Sequence, residues 1–551
     1  MAEERVNKII KRWEQRSAEK SQWHNHYEDL ARVMLPRRMG FTTTLVEGER
    51  RTTEIFDGTP MQAARGLANS IGGMLRPQGI PEIKMKAEDD RLNEIEEAKA
   101  WLEDSQERLK AAFNNPKARY RQASGEIDLD LVVFGTGVMF EGESLGNNHL
   151  LFQSVHLKDA TPSFNEEGVV DGMFRKRMMP IRDLVQRFGA KKLSERVREQ
   201  IDKQPYKKID VLHAVIKRDE FKQDAMMSKD LPFADFWIEL ESKHDLSEGG
   251  FHEFPFIVPQ WDTSSGEEMG RSPGMIALPD ADTLQAMGET ILIAGQRAAD
   301  PPLAVPNDGT FDAINTFPSG LSYYDVETAV AVRGNPFFTI PSGTNLPITR
   351  DMQADARAQV FSAFYRNVLN LPVEGPQMTA TEVMQRKEEF IREVGPVFGR
   401  LETSYTAPKV ERAFMIMLRA GAFAPIPEVL MGQNVRFEYD SPVTRIRQQV
   451  EASAAKIWAQ ELIVMAEAKP EALDLINIDE LARFSAEALG IPRKIVNSED
   501  SVAQMRQQRL EAAQQVEEDQ AIAQAAEVLK TGATAADTAG LIERPEDREA
   551  A

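Results

Sequence analysis

Two amphipathic stretches of equal length flank a proline-rich insert near the middle of the chain, and that arrangement limits the fold more than any other feature. The first, ALPDADTLQAMGETILIAGQRAADPP, places Pro279 near a first helical turn and spaces Leu284, Met287, Ile291 and Ala294 along one face until Pro301 and Pro302 end it. The second, TRDMQADARAQVFSAFYRNVLN, sets Met352, Ala356, Val360, Phe364 and Val368 at helical spacing. About twenty residues make a rod about 30 Å long. Between them, Pro301 to Ile348 holds seven prolines, four glycines and one basic residue, Arg333, against Asp308, Asp312, Asp325 and Glu327, and reads as a compact loop-and-strand module. Two equal rods around a small module make an antiparallel stalk with a head. Each rod carries only a narrow apolar stripe, which a two-helix stalk cannot bury alone. Copies packed in a closed ring would cover it, and so would a lobe of the same chain.

The 551 residues exceed one ordinary core, and 42% apolar composition suffices for several lobes. Without cysteine there are no disulfides, thiolate metal sites or thiol nucleophiles, which fits assembly in a reducing cytoplasm. The opening MAEERVNKIIKRWEQR lacks the apolar centre of an export signal, and no run approaches the roughly 18 apolar residues that span a bilayer, so a soluble chain with no membrane partner is expected. Sixty-six basic residues against 87 acidic ones give a net charge of -21, the opposite of what counterion release rewards in a protein that grips phosphates. Contact with nucleic acid should be non-adhesive.

Catalytic signatures are sparse. There is no G-x-x-x-x-G-K-[ST] loop, GTGVMF at Gly135 to Phe140 lacks the third glycine of a dinucleotide fingerprint, and neither G-x-S-x-G nor H-E-x-x-H occurs. His24 and His26 are two apart, about 200° on a helix, and cannot share a metal there. Glu126, Asp128 and Asp130 alternate in GEIDLDLVVFGTG; on a strand they would align three carboxylates as in a metal-dependent nuclease, whereas an acidic edge beside a buried LVVF segment is the plainer reading. The expectation is no enzyme, no metal and no cofactor.

Around the rods the pattern is α+β and predominantly helical. Residues 3–35 read as one long amphipathic helix through Val6, Ile9, Ile10, Trp13, Tyr27, Leu30 and Met34, stopped by Pro36. Further helices are expected over 60–75, 93–113 and into DLVVFGTG, then strands from Met139 to Trp261, with FNEEGVV as a turn. Past the second rod, LNLPVEGPQMTATEV sets a Pro/Gly loop before a helix whose Thr379 and Glu382 fit a capping box. Glu382 with Arg386, and Glu388 with Arg392, support that helix by roughly 0.2–0.5 kcal/mol per pair.

TEIFDGTPMQAARGLANSIGGMLRPQG, LVVFGTGVMF, PFIVPQWDTSSGEEMGRSPGMIALPDADTL, the DPP of Asp300 to Pro302 and MTATEVMQRKEE together resemble the head-to-tail connector, or portal, proteins of short-tailed bacteriophages, in order and spacing over nearly the whole chain. One departure is RPQGIPEIKM, with Pro81 and Glu82 after the P-x-G. The resemblance implies a portal fold in a dodecameric ring at one capsid vertex, assembled in the host cytoplasm. A terminase motor would drive double-stranded DNA through it, and major capsid, scaffolding and tail adaptor proteins would be its other partners. Residues 1–278 would be the wing, 279–300 and 349–370 the stem helices, 301–348 the clip, 379–444 a wing helix and return, and 445–551 the crown with a disordered tail. Leu371, Pro372, Val373, Glu374, Gly375, Pro376, Gln377 and Met378 would form the tunnel loop, with Thr379, Glu382, Arg386 and Lys387 on its supporting helix. Asp308, Asp312, Asp325 and Glu327 would make the clip a docking surface. Another structural virion protein, of the internal core or tail tube, and a nuclease are the rival readings.

Overall fold

The computed structural model describes residues 2–299 with short gaps at 45, 47, 78, 80–82, 145–148 and 222–226, then 303–304, 338–339, 346–366, 392–393 and 395–439, and, with short gaps, 442–523. It divides into two compact units, Met1–Thr444 and Arg445–Ala551.

The first unit opens with α1 (Ala2–Glu19) and α2 (Ser21–Met34). The single long helix expected here is interrupted by a turn at Lys20, whose ammonium is drawn inward to donate to the carbonyls of Leu157, at 2.8 Å, and Ala160. Burial lowers the Lys20 pKa to about 7, with Asp159 acting against the fall. The two halves serve different cores. Val6, Ile9 and Ile10 pack with Phe174, Leu212 and Ile238 of the larger sheet, whereas Tyr27, Leu30 and Met34 join the main cluster.

That main cluster is built on α3 (Thr59–Leu75), α4 (Glu96–Asn114) and α5 (Tyr120–Phe134). Strand β1 (Ile83–Ala87) lies between α3 and α4 in the chain. Then follow β2 (Met139–Glu143), β3 (Leu150–Ser154), β4 (Ala160–Phe164) and β5 (Val170–Pro180). Two short helices, α6 (Ile181–Phe188) and α7 (Glu195–Arg198), interrupt the expected run of strands. After them come β6 (Lys208–Lys217), β7 (Phe233–Glu239), β8 (His244–Phe251) and β9 (Phe256–Ile257). One sheet has the order β3-β2-β9 and the other β4-β5-β6-β7-β8, both antiparallel. FNEEGVV is the expected turn: Asn165 Oδ1 accepts from the amides of Glu167 and Val169, at 3.0 and 2.8 Å.

The two rods are α8 (Pro273–Ala299) and α9 (Leu346–Ala363). Between them, β10 (Leu303–Ala304) pairs antiparallel with β11 (Phe338–Thr339), so the chain leaves along α8 and returns along α9. Both boundaries differ from expectation. Helix α8 begins two turns before Pro279, which lies in its interior, because Ser272 and Pro273 supply a complete start: Ser272 Oγ accepts from the Met275 amide at 3.0 Å, and Pro273 needs no hydrogen bond in the first turn. Helix α9 begins three residues before position 349 and ends at Ala363, short of 370; Tyr365 then takes a positive φ of 55°. Its inward face is Gln353, Ala356, Val360 and Phe364, while Met352 is exposed.

The helix Ala407–Arg419 (α10) follows a π turn, Glu402–Thr406, and helical residues 395–401. Strand β12 (Val435–Tyr439) then pairs antiparallel with β1, Ile83 opposite Tyr439. In the second unit, α11 (Pro442–Ala468) crosses the boundary at Arg445, α12 (Ile478–Ala488) follows, and residues 501–516 are helical. Arg506 holds Asp479 there through two contacts of 2.6 and 2.7 Å. Among the described residues, no helix is long and apolar enough to cross a membrane.

Candidate functional site at the paired helices

Helix α8 is seated by two glycines. Gly135, at the C-terminus of α5 with φ 77°, and Gly270 approach so closely that a Cβ on Gly270 would stand 2.3 Å from the Gly135 carbonyl oxygen. Only glycine fits there. Around the crossing, the Gly270 amide donates to Thr136 Oγ1 at 2.8 Å and the Trp261 amide to the Gly135 carbonyl at 2.8 Å. Ser272 Oγ in turn donates to the Val133 carbonyl at 2.7 Å, fixing α8 to the end of α5. Ala277, Ala281 and Leu284 are then buried in the main cluster.

Farther along, the loop before α3 ties α8 and α9 together. Gln285 Oε1 accepts from the amides of Phe56 and Asp57 at 2.8 and 3.0 Å, and its Nε2 donates to the Asp57 carbonyl at 2.8 Å. The Asp57 carboxylate accepts from the Thr59 amide at 2.8 Å, from Arg357 Nε at 2.9 Å and from Gln353 Nε2 at 3.3 Å. Burial pushes the Asp57 carboxyl upward, but the Thr59 hydrogen bonds and Arg357 outweigh it and hold it below its ordinary value. FGTG and WDTSSGEEMGRSPG thus meet at the start of α8, and FDGTP joins α8 to α9 about three helical turns farther along.

The same unit holds a buried charge cluster. Arg76 pairs with Asp128, both almost inaccessible to water. Lys409 Nζ lies 3.6 Å from the centre of the Tyr405 ring without a hydrogen-bond acceptor, and neither Glu141 carboxylate oxygen has a hydrogen-bond donor among the described residues. Burial raises Glu141 to about 8 despite Arg412 and Lys409, and burial together with Arg76 carries Lys409 well below its ordinary value.

The alternating carboxylates are placed on α5, not on a strand, and this removes the nuclease geometry. Glu126 and Asp130, one helical turn apart, both reach Arg38, each at 3.1 Å, while Asp128 is committed to Arg76. Burial lifts Asp130 to about 6, with Arg38 opposing. His24 packs against Phe41, and burial lowers it to about 4; His26 lies near Arg271. Among the described residues no group of three or more His, Asp or Glu could hold a metal ion. Leu371 to Met378, Thr379, Glu382, Arg386 and Lys387, with Asp308, Asp312, Asp325 and Glu327, lie outside the described residues.

Sequence reasoning missed Asp57, Gln285, Ser272 and Lys409. Ser-Pro before an apolar run and Asp-Gly-Thr-Pro before α3 are local N-terminus signals that could have found two of them. The pairings across some 300 positions left no local trace.

Residues 6–496 match the family described as "Bacteriophage head to tail connecting protein". The chain belongs to this family. Among curated relatives, the connector is 28% identical over 546 residues to the "Portal protein" of Salmonella phage epsilon15, covering 96% of each chain. It is 27% identical over 554 residues to the "Probable portal protein" of Bordetella phage BPP-1, covering 98% of this chain and 97% of that one. A solved structure titled "Neck of empty GTA particle computed with C6 symmetry" matches 74% of this connector and 91% of that chain at 10% identity, with a TM-score of 0.34, too low to bear on the argument.

Proposed function

We propose that this connector is the portal subunit of its phage: a structural, non-catalytic protein that forms a ring at one capsid vertex and passes double-stranded DNA inward during packaging and outward during ejection. The observation that carries the reading is the α8–α9 pair, rooted in the wing at Asp57 and Gly270. Its free faces leave Ile276, Leu292, Ile293 and Met352 exposed on a single chain, as neighbouring copies in a ring would require. In this reading residues 1–278 and 379–444 form the wing, 279–300 and 349–370 the stem, 301–348 the clip and 445–551 the crown. Leu371 to Met378 would line the channel, carried by the helix with Thr379, Glu382, Arg386 and Lys387. Asp308, Asp312, Asp325 and Glu327 would meet a terminase motor and then a tail adaptor, both basic at that surface, and major capsid and scaffolding proteins would contact the outside. The net charge of -21 suits the task, since a lumen rich in carboxylates repels phosphates and leaves the duplex no electrostatic well.

Negative-stain images of the purified chain test this directly. Closed rings of about 740 kDa for twelve copies of the 61.8 kDa chain are expected. Monomers or dimers at micromolar concentration across a range of salt would overturn the reading.

A further inference from the structure

Strand β5 presents Arg175, Arg177 and Met179 on one face, the parity opposite to Phe174 and Lys176, as strand alternation dictates. In register across the five-stranded sheet, Arg175 stands opposite His213, and His213 opposite Trp237. His213 and Trp237 stack at 4.2 Å with 11° between their planes, and Arg187, from α6, lies 4.2 Å from the centre of the Trp237 ring. These residues wall a cleft of about 580 Å³ whose other side is β2, β3 and α10.

The charges in this cleft do not balance. Arg412 and Arg419 are taken by Glu253, at 3.4 and 2.5 Å, and Asp235 lies 2.8 Å from His213 Nε2, leaving Glu143 as the other carboxylate of the lining. Lys176, facing the other way, pairs with Asp210 at 2.9 Å. Among the described residues Arg175, Arg177 and Arg187 have no ion pair and no hydrogen bond. Three unpaired guanidiniums, two of them half-buried, are costly in a chain with 87 acidic residues to choose partners from. Burial lowers all three, Arg175 to about 9; Arg177 adds to the fall at Arg175 and Arg187 to that at Arg177, while Asp159, Asp183 and Asp235 act against it at Arg175, Arg177 and Arg187 in turn. An incoming anion would remove that cost.

The shape selects among anions. Trp237 has His213 and Arg187 against its ring, so it offers poor stacking for a nucleobase. Arg175 and Arg177 are two apart on a strand, about 7 Å, which is the spacing of alternate side chains in an extended peptide. Phe140, Met179 and Phe251 add apolar surface that a bare phosphate would not use. We infer that this cleft receives an extended acidic segment of a partner protein, its alternate carboxylates on Arg175, Arg177 and Arg187 and its intervening apolar side chains on Phe140, Met179 and Phe251. The inference does not depend on the portal reading.

The test uses the full-length assembled protein and a fluorescein-labelled peptide alternating Glu and Leu, followed by anisotropy. Saturable binding is expected, weakened about tenfold or more by Arg175→Gln/Arg177→Gln. Arg187→Gln, on an exposed helical position, should weaken it without lowering the melting temperature, which keeps the test valid if the double variant fails to fold. A peptide with Gln in place of Glu should not bind. Three results would overturn the inference: equal binding by wild type and Arg187→Gln, displacement by inorganic phosphate as effective as by unlabelled peptide, or a change of particle size in Arg187→Gln, which would make a neighbouring copy the occupant.

Discussion

Arg357, on α9, donates to the carboxylate of Asp57 at 2.9 Å, and the same carboxylate accepts from the Thr59 amide at the start of α3. One side chain therefore bears both on where α3 begins and on where α9 lies. Asp57→Ala removes the cap and strands a half-exposed guanidinium, so a loss of about 2 kcal/mol is expected, and Asp57→Asn, which can still cap Thr59, should lose about half as much. Thermal melts of assembled particles measure both. Because the Asp57 carboxyl is held below its ordinary value, its contribution is present at neutral pH and lost as pH falls through the acidic range below about 4. The gap between wild type and Asp57→Asn should therefore close toward pH 3. A constant gap would detach Asp57 from the ion pair.

The crossing of Gly135 and Gly270 predicts a sharper effect. An Ala at 270 would put its Cβ 2.3 Å from the Gly135 carbonyl oxygen, and both partners are backbone, so neither can swing away. Gly270→Ala should cost more than about 3 kcal/mol and reduce the yield of soluble protein. Gly125 is the control: it is exposed on α5 with nothing within 4 Å of where a Cβ would sit, and Gly125→Ala should stabilise by about 0.5–1 kcal/mol. Equal effects at the two positions would mean that the crossing is slack.

The contrast between these sites shows what the sequence could reveal. Helices α3 and α5 were legible because Leu67, Ile71, Ile127 and Leu131 carry a regular apolar spacing that burial confirms. The start of α8 was misplaced because Pro279 resembles an N-terminal proline, whereas the Ser272 cap depends partly on the Val133 carbonyl, 139 positions away. The alternating carboxylates looked equivalent, and only packing separated Asp128, against Arg76, from Asp130, against Arg38. Strands β4 and β8 fall within the stretch expected to be strands, but ATPSF and HDLSEGGF have little β propensity of their own and owe their shape to partners in the sheet.

Glu141 carries a pH signature of the opposite sign. Its carboxyl is raised to about 8 by burial, so between about 4.5 and 8 the unfolded chain ionises while the folded one stays protonated, and stability falls as pH rises through that window. Glu141→Gln keeps the shape and removes the linkage. The variant should match wild type near pH 5 and exceed it near pH 8, by at most about 4 kcal/mol. Lys409, lowered by burial, works in reverse, and Lys409→Met should gain on wild type as pH falls from about 10. Urea titrations at three pH values would measure both. A difference between Glu141→Gln and wild type that does not vary with pH would place a fully charged Glu141 in the core.

The last prediction concerns the proposed channel. The sequence pattern of Pro372, Gly375 and Pro376 would allow a sharp turn after the second rod, and a capping box of Thr379 and Glu382 would fix where the next helix starts, so that in the proposed channel the loop could move on a steady support. Replacing Pro372 to Gln377 by two glycines should leave ring assembly unchanged, because the junction at Asp57 and Gly270 contains none of these residues. Particles should begin packaging and fail to retain a complete genome if, as proposed, this loop forms the narrowest surface around the duplex. Thr379→Ala should cost about 1 kcal/mol locally and give a milder form of the same defect. The length of DNA recovered from purified particles is the readout. Complete genomes in the loop-deleted particles would show that this segment does not grip the duplex, and the constriction would then have to be sought on the stem helices themselves.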